Sequence, residues 1–321
     1  VSLMLDGCES SLLLWEEKDG DGQRPMGAEK TVISLDLTNE LPVTLKGKNI
    51  YRMDRFETSL DQRTWKETEV QTLIEACDAG RLLDGDHLNY SGAFGLPKRI
   101  QIRYPITVYY RRCINVDRIP ENLAILMDDR TISGEFVMAV NGHEIRRSDF
   151  SPVFINDQNN ISCPVSSYIK EGENWIEIKV AAERDFDGIR DPLYLMGDFG
   201  VEGEHLTDMP KSGKLGEGYV KGFPYYSGEM VFTARFSYPK GLDQDAVIEL
   251  DGITDFYECL EMRVNGHNLG ARVFTPYRFA CRKEWLEEEN TVELIYNNTL
   301  IHMLEGSYFD YENHRTVPVV S

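Results

Sequence analysis

The chain lacks the features that mark membrane-spanning and nucleic-acid-binding proteins. No apolar run approaches the roughly 18 residues that a membrane span needs, and the first residues have neither the basic start nor the long apolar run of a secretory signal. Basic residues are few: 34 Lys and Arg stand against 54 Asp and Glu, which gives a net charge of −20. Because this charge repels phosphate backbones and anionic lipids, we expect neither nucleic acid nor a membrane as a partner.

Several catalytic and metal-binding motifs are also missing. The six cysteines contain no Cys-x-x-Cys pair and the six histidines no His-x-x-x-His pair, so a zinc site is not expected. We interpret the cysteines as mostly buried thiols, although their even number leaves disulfides open. A nucleophile elbow, a phosphate-binding loop and a dinucleotide fingerprint are absent as well.

Strand patterns dominate what is present. Short apolar or alternating segments are separated by Asn-Gly, Pro and Asp-rich turns, which is typical of antiparallel sandwiches. The predicted strands are Ile33–Leu37, Ile106–Ile114, Leu123–Met127, Phe136–Val140, Trp175–Val180, Met230–Phe236, Ala246–Leu250, Leu260–Val264 and Thr291–Tyr296. Helical periodicity appears mainly in Glu67–Leu83. The sequence therefore predicts an all-β fold with few helices.

One passage occurs twice. Val140–His143 (Val-Asn-Gly-His) is followed by a Glu-Asn pair at Asn174, and Val264–His267 repeats the motif before a Glu-Asn pair at Asn290. An Asn-Gly pair favours a type I′ hairpin, which needs positive φ at both residues. We therefore interpret Asn141 and Asn265 as turn residues without a ligand role.

A repeat of domain length predicts two similar domains in tandem, which a chain of 321 residues can accommodate. We expect residues 1–28 to be remnant strands and a linker of a preceding domain. Residues 29–200 would form the first sandwich and residues 201–321 the second. Since the sequence starts with Val1 rather than Met, we expect it to be a piece of a longer chain.

Several words of the sequence, taken in order, resemble the C-terminal region of large bacterial glycoside hydrolases. They are Asn49–Asp54, Asp191–Gly200, Gly222–Gly228, Val264–Gly266, Thr275–Arg278 and Glu289–Leu294. The resemblance is nearest to α-L-rhamnosidase-like enzymes, with the sugar-binding domain of glycoside hydrolase family 2 as a wider relative. It implies two galactose-binding-like jelly rolls, accessory to a catalytic (β/α)8 barrel that this chain does not contain. Within the words, Tyr194–Gly200 and Gly222–Gly228 flank only the second copy of the repeat.

No catalytic residue is predicted inside these domains. A glycosidase needs two carboxyl groups on either side of the scissile bond, and the acidic residues are too numerous to select a pair. Asn39-Glu40 resembles the acid/base position of barrel glycosidases, but no alternating strands and helices surround it. We interpret Glu40 as part of an exposed turn before Pro42.

Carbohydrate binding is the more plausible activity, because sugars stack on aromatic rings and form hydrogen bonds with polar side chains. The candidate carbohydrate-binding residues are Phe223, Tyr225, Tyr226, Tyr277 and Arg278. The alternative is that these residues fix the packing of the domain.

A structural calcium ion is a possible cofactor. Asp185, Asp187 and Asp191, with Gly188 between them, offer hard oxygen donors at nearby positions of one turn. The alternative is that these acidic side chains are simply solvated.

The sequence thus favours a non-catalytic accessory or carbohydrate-binding region of a bacterial glycoside hydrolase, with the catalytic domain of the same parent chain as a partner. An autonomous carbohydrate-binding module and a purely structural spacer or oligomerisation sandwich remain as alternatives.

Overall fold

The structure, a computed structural model, describes residues 31–70 and 103–319, apart from 185, 217, 242–243, 254–255, 257 and 274. The described residues form an all-β fold, which confirms the predicted class. The expected domain remnant at 1–28 lies outside them. No helix among the described residues is long and apolar enough to cross a membrane.

The strands follow one another with short connections. The first two are β1 (Thr31–Asp36) and β2 (Leu41–Leu45). The next fifteen are β3 (Asn49–Met53), β4 (Arg55–Ser59), β5 (Lys66–Glu69), β6 (Ile106–Val116), β7 (Ala124–Asp128), β8 (Ile132–Ser133), β9 (Glu135–Val140), β10 (His143–Ile145), β11 (Ser151–Pro152), β12 (Asn160–Pro164), β13 (Gly172–Ala182), β14 (Gly188–Ile189), β15 (Leu193–Gly197), β16 (Gly200–Glu202) and β17 (His205–Thr207). The last nine are β18 (Ser212–Gly213), β19 (Glu229–Ser237), β20 (Ala246–Asp251), β21 (Leu260–Val264), β22 (His267–Arg272), β23 (Arg278–Cys281), β24 (Glu289–Asn297), β25 (Ser307–Asp310) and β26 (Arg315–Pro318).

Helices are short. Three 3₁₀ helices span Arg147–Asp149, Ser166–Tyr168 and Lys283–Trp285, and the α-helix α1 spans Ile301–Glu305. Each of the nine predicted strands coincides with an observed strand, so the strand predictions are confirmed.

The described residues divide into two compact units. The central unit is Lys48–Met209, and the flanking unit consists of residues 31–47 and 210–319.

The central unit contains two large sheets and a small one. The larger has the order β10-β9-β13-β6-β17-β16, with β4 also pairing with β6 and β5 with β4. The second has the order β11-β12-β7-β15-β3, and β14 pairs with β8. In β13 the side chains alternate between core and solvent, since Ile176, Ile178 and Val180 are buried and the residues between them are exposed.

The flanking unit has the same kind of construction. A six-stranded sheet has the order β18-β2-β19-β24-β21-β22, a three-stranded sheet has the order β1-β20-β23, and β25 pairs with β26 as a hairpin. Its core includes Phe232, Met262 and Phe279, each completely buried.

The unit boundaries differ from the expected ones at two places. Residues 31–45 were expected in the first sandwich, but β1 pairs in parallel with β20 and β2 pairs with β19, both in the flanking unit. Conversely, Tyr194–Gly200, expected to flank the second copy of the repeat, supplies β15, which pairs with β3 and β7 in the central unit. These pairings join residues far apart in sequence, and local alternation carries no information about them.

The helix predicted at Glu67–Leu83 is wrong at its start. Glu67–Glu69 belongs to β5, where Thr68 points inward and its hydroxyl lies 2.6 Å from that of Thr58 on β4. The remainder of that segment, beyond Val70, lies outside the described residues.

Candidate ligand-binding cavity

A cavity of about 650 Å³ lies within the flanking unit. It is lined by residues of the stretches 216–220, 256–258, 296–302 and 308–313. The end of β24, helix α1 and the β25–β26 hairpin therefore supply most of its wall.

Aromatic rings form the outer part of this wall. Phe309 and Tyr311 are 38% and 37% exposed. Being two residues apart at the end of a strand, they lie on the same side, and their ring centroids are 4.8 Å apart at 73°. Tyr219 and Tyr308 form a second pair, with ring centroids 6.1 Å apart. Partly exposed rings of this kind can stack on an apolar or sugar face.

Gly218 allows one of these rings to approach the backbone closely. It has a φ of +48°, and a Cβ atom there would lie 2.7 Å from Cε2 of Tyr308. Only glycine satisfies both conditions without strain.

The inner part of the wall is a packed aromatic cluster. Phe256 is buried, with its ring centroid 5.5 Å from that of Tyr277 and 5.3 Å from that of Tyr296. The Tyr277 hydroxyl donates a hydrogen bond of 2.8 Å to the backbone carbonyl of Glu258. Tyr277 therefore fixes the backbone from which the Glu258 side chain projects.

His302 lies on α1, which ends at Gly306 in a left-handed conformation. Its side chain is only 2% exposed and lines the cavity. Burial lowers the pKa of His302, although a hydrogen bond with the backbone of Pro224 raises it. The ring is therefore neutral near pH 7, and its Nδ1 atom is buried without a hydrogen-bond partner among the residues that the structure describes.

Three acidic residues, Glu258, Asp310 and Glu312, line the same cavity. Burial raises the pKa of the Glu258 carboxyl. Hydrogen bonds from the side chain and backbone of Asn313 hold the pKa of Asp310 below its usual range, and Arg315 lies 3.3 Å from its carboxylate. Within the described part of the chain, the cavity lining contains no Lys or Arg. The cavity thus combines aromatic faces with hydrogen-bond acceptors and negative charge.

The predicted carbohydrate-binding residues do not form one exposed face. Phe223, Tyr226 and Tyr277 are buried, with 1%, 2% and 4% of their surface exposed, so these rings cannot stack on a sugar in this structure. Tyr225 is half-buried, and Arg278 is exposed with its guanidinium 3.0 Å from the carboxylate of Glu249. For the three buried rings, the structure fits the alternative that they fix packing.

The loop that contains Tyr226 supports the cavity from outside its lining. The Tyr226 hydroxyl donates a hydrogen bond of 2.9 Å to the carbonyl of Lys46, and the Asn298 side chain donates one of 2.6 Å to the carbonyl of Tyr226. The backbone N–H of Met303 donates to the Ser227 hydroxyl at 3.2 Å. These bonds hold the loop against the start of α1.

The predicted metal ligands lie in the central unit. Asp187 is buried, and its carboxylate already accepts hydrogen bonds from the backbone of Glu183, from the Ser133 hydroxyl and from Arg184. Asp191 is exposed, and Asp185 lies outside the described residues. Among the residues described, no three His, Cys, Asp or Glu side chains converge as a metal site requires.

Glu40 lies in an exposed turn between β1 and β2, where it accepts a hydrogen bond of 2.6 Å from the Ser212 hydroxyl. This is the position that the sequence analysis expected for it.

Sequence reasoning missed the residues that line the cavity. The run Tyr308-Phe309-Asp310-Tyr311-Glu312-Asn313 combines aromatic and acidic residues near the C-terminus and could have indicated a site. The contributions of Phe256 and His302 could not be read locally, because they reach the cavity only through folding.

Comparisons with known proteins place the chain beside glycoside hydrolases at low identity. No family model and no curated protein matches the sequence. A β-D-mannosidase from Dictyoglomus thermophilum matches with a TM-score of 0.35 and 12% identity, over 78% of this chain and 31% of that one. A β-glucuronidase from an uncultured Clostridium sp. matches with a TM-score of 0.33 and 11% identity, over 80% and 44%.

A glycoside hydrolase family 2 member from Bacteroides cellulosilyticus matches with a TM-score of 0.29 and 13% identity, over 78% of this chain and 32% of that one. The chain therefore spans less than half the length of each of these three enzymes.

Proposed function

We propose that this chain is a non-catalytic accessory region of a bacterial glycoside hydrolase of the α-L-rhamnosidase-like kind, built from galactose-binding-like jelly rolls. Its function would be to bind carbohydrate in the cavity of the flanking unit, beside a catalytic domain of the same parent chain. The observation that carries the binding proposal is the cavity itself, with exposed aromatic rings around polar groups.

The chemistry of the lining suits a sugar. The C–H faces of a pyranose stack on rings such as Phe309 and Tyr311, and its hydroxyl groups are hydrogen-bond donors for acceptors such as Glu258 and His302 Nδ1. A volume of about 650 Å³ falls in the usual range of small-molecule sites.

The resemblance noted in the sequence adds support, because two of its words lie next to one another in the fold. Asn49–Asp54 contains β3 and Asp191–Gly200 contains β15, and these strands pair so that Arg52 lies opposite Tyr194. The Asn49 side chain also donates a hydrogen bond of 2.8 Å to the carbonyl of Phe199. Such words would recur in related sandwiches because they maintain a pair of core strands.

A glycan array probed with the purified chain tests the proposal. We expect saturable binding to a restricted set of plant or host glycans, and no hydrolysis of aryl glycosides. Absence of any glycan binding would instead favour the structural spacer. Hydrolysis that is lost on mutation of a single carboxylate would overturn the non-catalytic assignment.

A further inference from the structure

The charge of the cavity restricts the kind of saccharide that it can accept. Glu258, Asp310 and Glu312 line it, and only Asp310 has a cationic neighbour, Arg315, among the described residues. An anionic sugar such as a uronic acid would be repelled by the remaining carboxylates, and a cationic ligand would be attracted.

Glu258 is the group that most needs a partner. Its side chain is half-buried, and its carboxylate has no hydrogen bond or ion pair with any residue that the structure describes. A carboxylate that has lost water without gaining a partner is destabilising, and a cation beside it removes that penalty.

His302 provides a second and independent indication. Its Nδ1 is a buried acceptor without a partner among the described residues, on a ring that lines the same cavity. Since the other ring nitrogen is engaged with Pro224, only a hydrogen-bond donor can satisfy Nδ1 in the neutral ring. Both unsatisfied groups of the lining are therefore acceptors, which calls for a ligand rich in donors.

An ammonium group offers three donors, a positive charge and no acceptor. It can also lie over the face of an aromatic ring such as Tyr311. A metal ion fits less well, because the acidic side chains of the described residues do not converge in threes.

We propose that the cavity selects an amino sugar with a free, protonated amine, whose ammonium group pairs with the Glu258 carboxylate. This inference rests on the proposed function, carbohydrate binding in the cavity, and names the class of sugar.

The test is calorimetric titration of the full chain at pH 6 and about 0.15 M salt with three probes of equal length. They are a fully deacetylated glucosamine oligosaccharide, its N-acetylated counterpart and a galacturonate oligosaccharide. We expect the deacetylated probe to bind about tenfold or more tightly than the acetylated one. The galacturonate should not bind.

Two variants separate the local ion pair from the general attraction of a chain with net charge −20 for cations. Glu258→Gln should abolish the preference for the free amine. Glu305→Gln removes the same charge from an exposed position of α1 outside the cavity lining and should keep the preference.

The possible failures are distinguishable. Equal binding of the acetylated and deacetylated probes to the unmodified chain would overturn the inference and leave carbohydrate binding standing, and this comparison requires no variant. A preference that survives in a folded Glu258→Gln protein would overturn the role of Glu258. Absence of binding to these probes and to every glycan on the array would overturn the proposed function together with the inference.

Discussion

Asn265 donates a hydrogen bond of 2.9 Å from its side-chain Nδ2 to Oδ1 of Asn290. The same Nδ2 donates to the carbonyl of Trp285 at 2.9 Å, and Oδ1 accepts the backbone N–H of Thr291 at 3.0 Å. The turn residue thus ties a hairpin to a 3₁₀ helix and to the strand that follows it.

The first copy of the repeat contains the same arrangement. Asn141 donates to Asn174 at 2.7 Å and to the carbonyl of Tyr168 at 2.8 Å, and it accepts from the N–H of Trp175 at 3.0 Å. A stacked ring pair accompanies each copy, His143 on Tyr168 and His267 on Trp285. The repeat is therefore a recurring structural clamp, which explains its sequence without a ligand.

Substitution of Asn265 tests the clamp. Its φ is +49°, as in a type I′ turn, so Asn265→Gly keeps the backbone and removes only the side-chain bonds. We expect Asn265→Gly to lower the free energy of unfolding by about 1–3 kcal/mol, because buried partners lose their bonds. Asn265→Ala should cost about 1 kcal/mol more, through left-handed strain. Urea denaturation measures both, and Asn39→Ala, at an exposed turn, is the control that should change little.

Substitution of Gly218 tests the shape of the cavity. Gly218→Ala places a methyl group against Tyr308 and should both destabilise the flanking unit and weaken glycan binding. Gly241→Ala is the matched control, since Gly241 also has positive φ but has no atom within 4 Å of the new Cβ. It should cost stability by strain alone. Equal affinity of both variants for a glycan would show that the position of Tyr308 does not matter for binding.

Asp187 predicts an acid-sensitive contribution to the central unit. Burial raises the pKa of Asp187, but its hydrogen bonds from Glu183, Ser133 and Arg184 outweigh this effect and leave the pKa below the ordinary value near 3.9. The stabilisation is therefore present above about pH 3.9 and lost as pH falls through the folded-state pKa. Asp187→Asn should reduce stability at pH 7 by about 1–3 kcal/mol and flatten the acid limb of the unfolding curve. An unchanged acid limb would contradict this role.

His302 predicts a pH dependence of opposite origin in the flanking unit. Burial holds its pKa below the ordinary value of about 6.5, so the unfolded chain binds a proton that the folded chain excludes. Stability is therefore full above about pH 6.5 and declines as pH falls below it. Thermal unfolding between pH 7.5 and 5 should show this slope reduced in His302→Asn but retained in His314→Asn, an exposed control. Identical slopes in the two variants would refute the assignment.

The sequence predicted the local structure better than the arrangement of the parts. Strands such as Trp175–Val180 were predictable because alternation is visible along the chain. The pairing of Thr31–Asp36 with Ala246–Asp251 was not, since strand order depends on contacts between distant segments. Tyr226 and Tyr277 were chosen as binding residues for their type, but only the folded core determines that their rings are buried.

The central claim is that the cavity of the flanking unit binds a glycan, and Tyr311 is its most direct test because its ring is partly exposed in the lining. The measurement is calorimetric titration of the strongest array glycan into the unmodified chain, Tyr311→Ala and Phe154→Ala. Phe154, 75% exposed in the central unit, controls for loss of an exposed ring. We predict equal affinity for the unmodified chain and Phe154→Ala, with about tenfold weaker binding by Tyr311→Ala. Binding by Tyr311→Ala as tight as that of the unmodified chain would contradict the account.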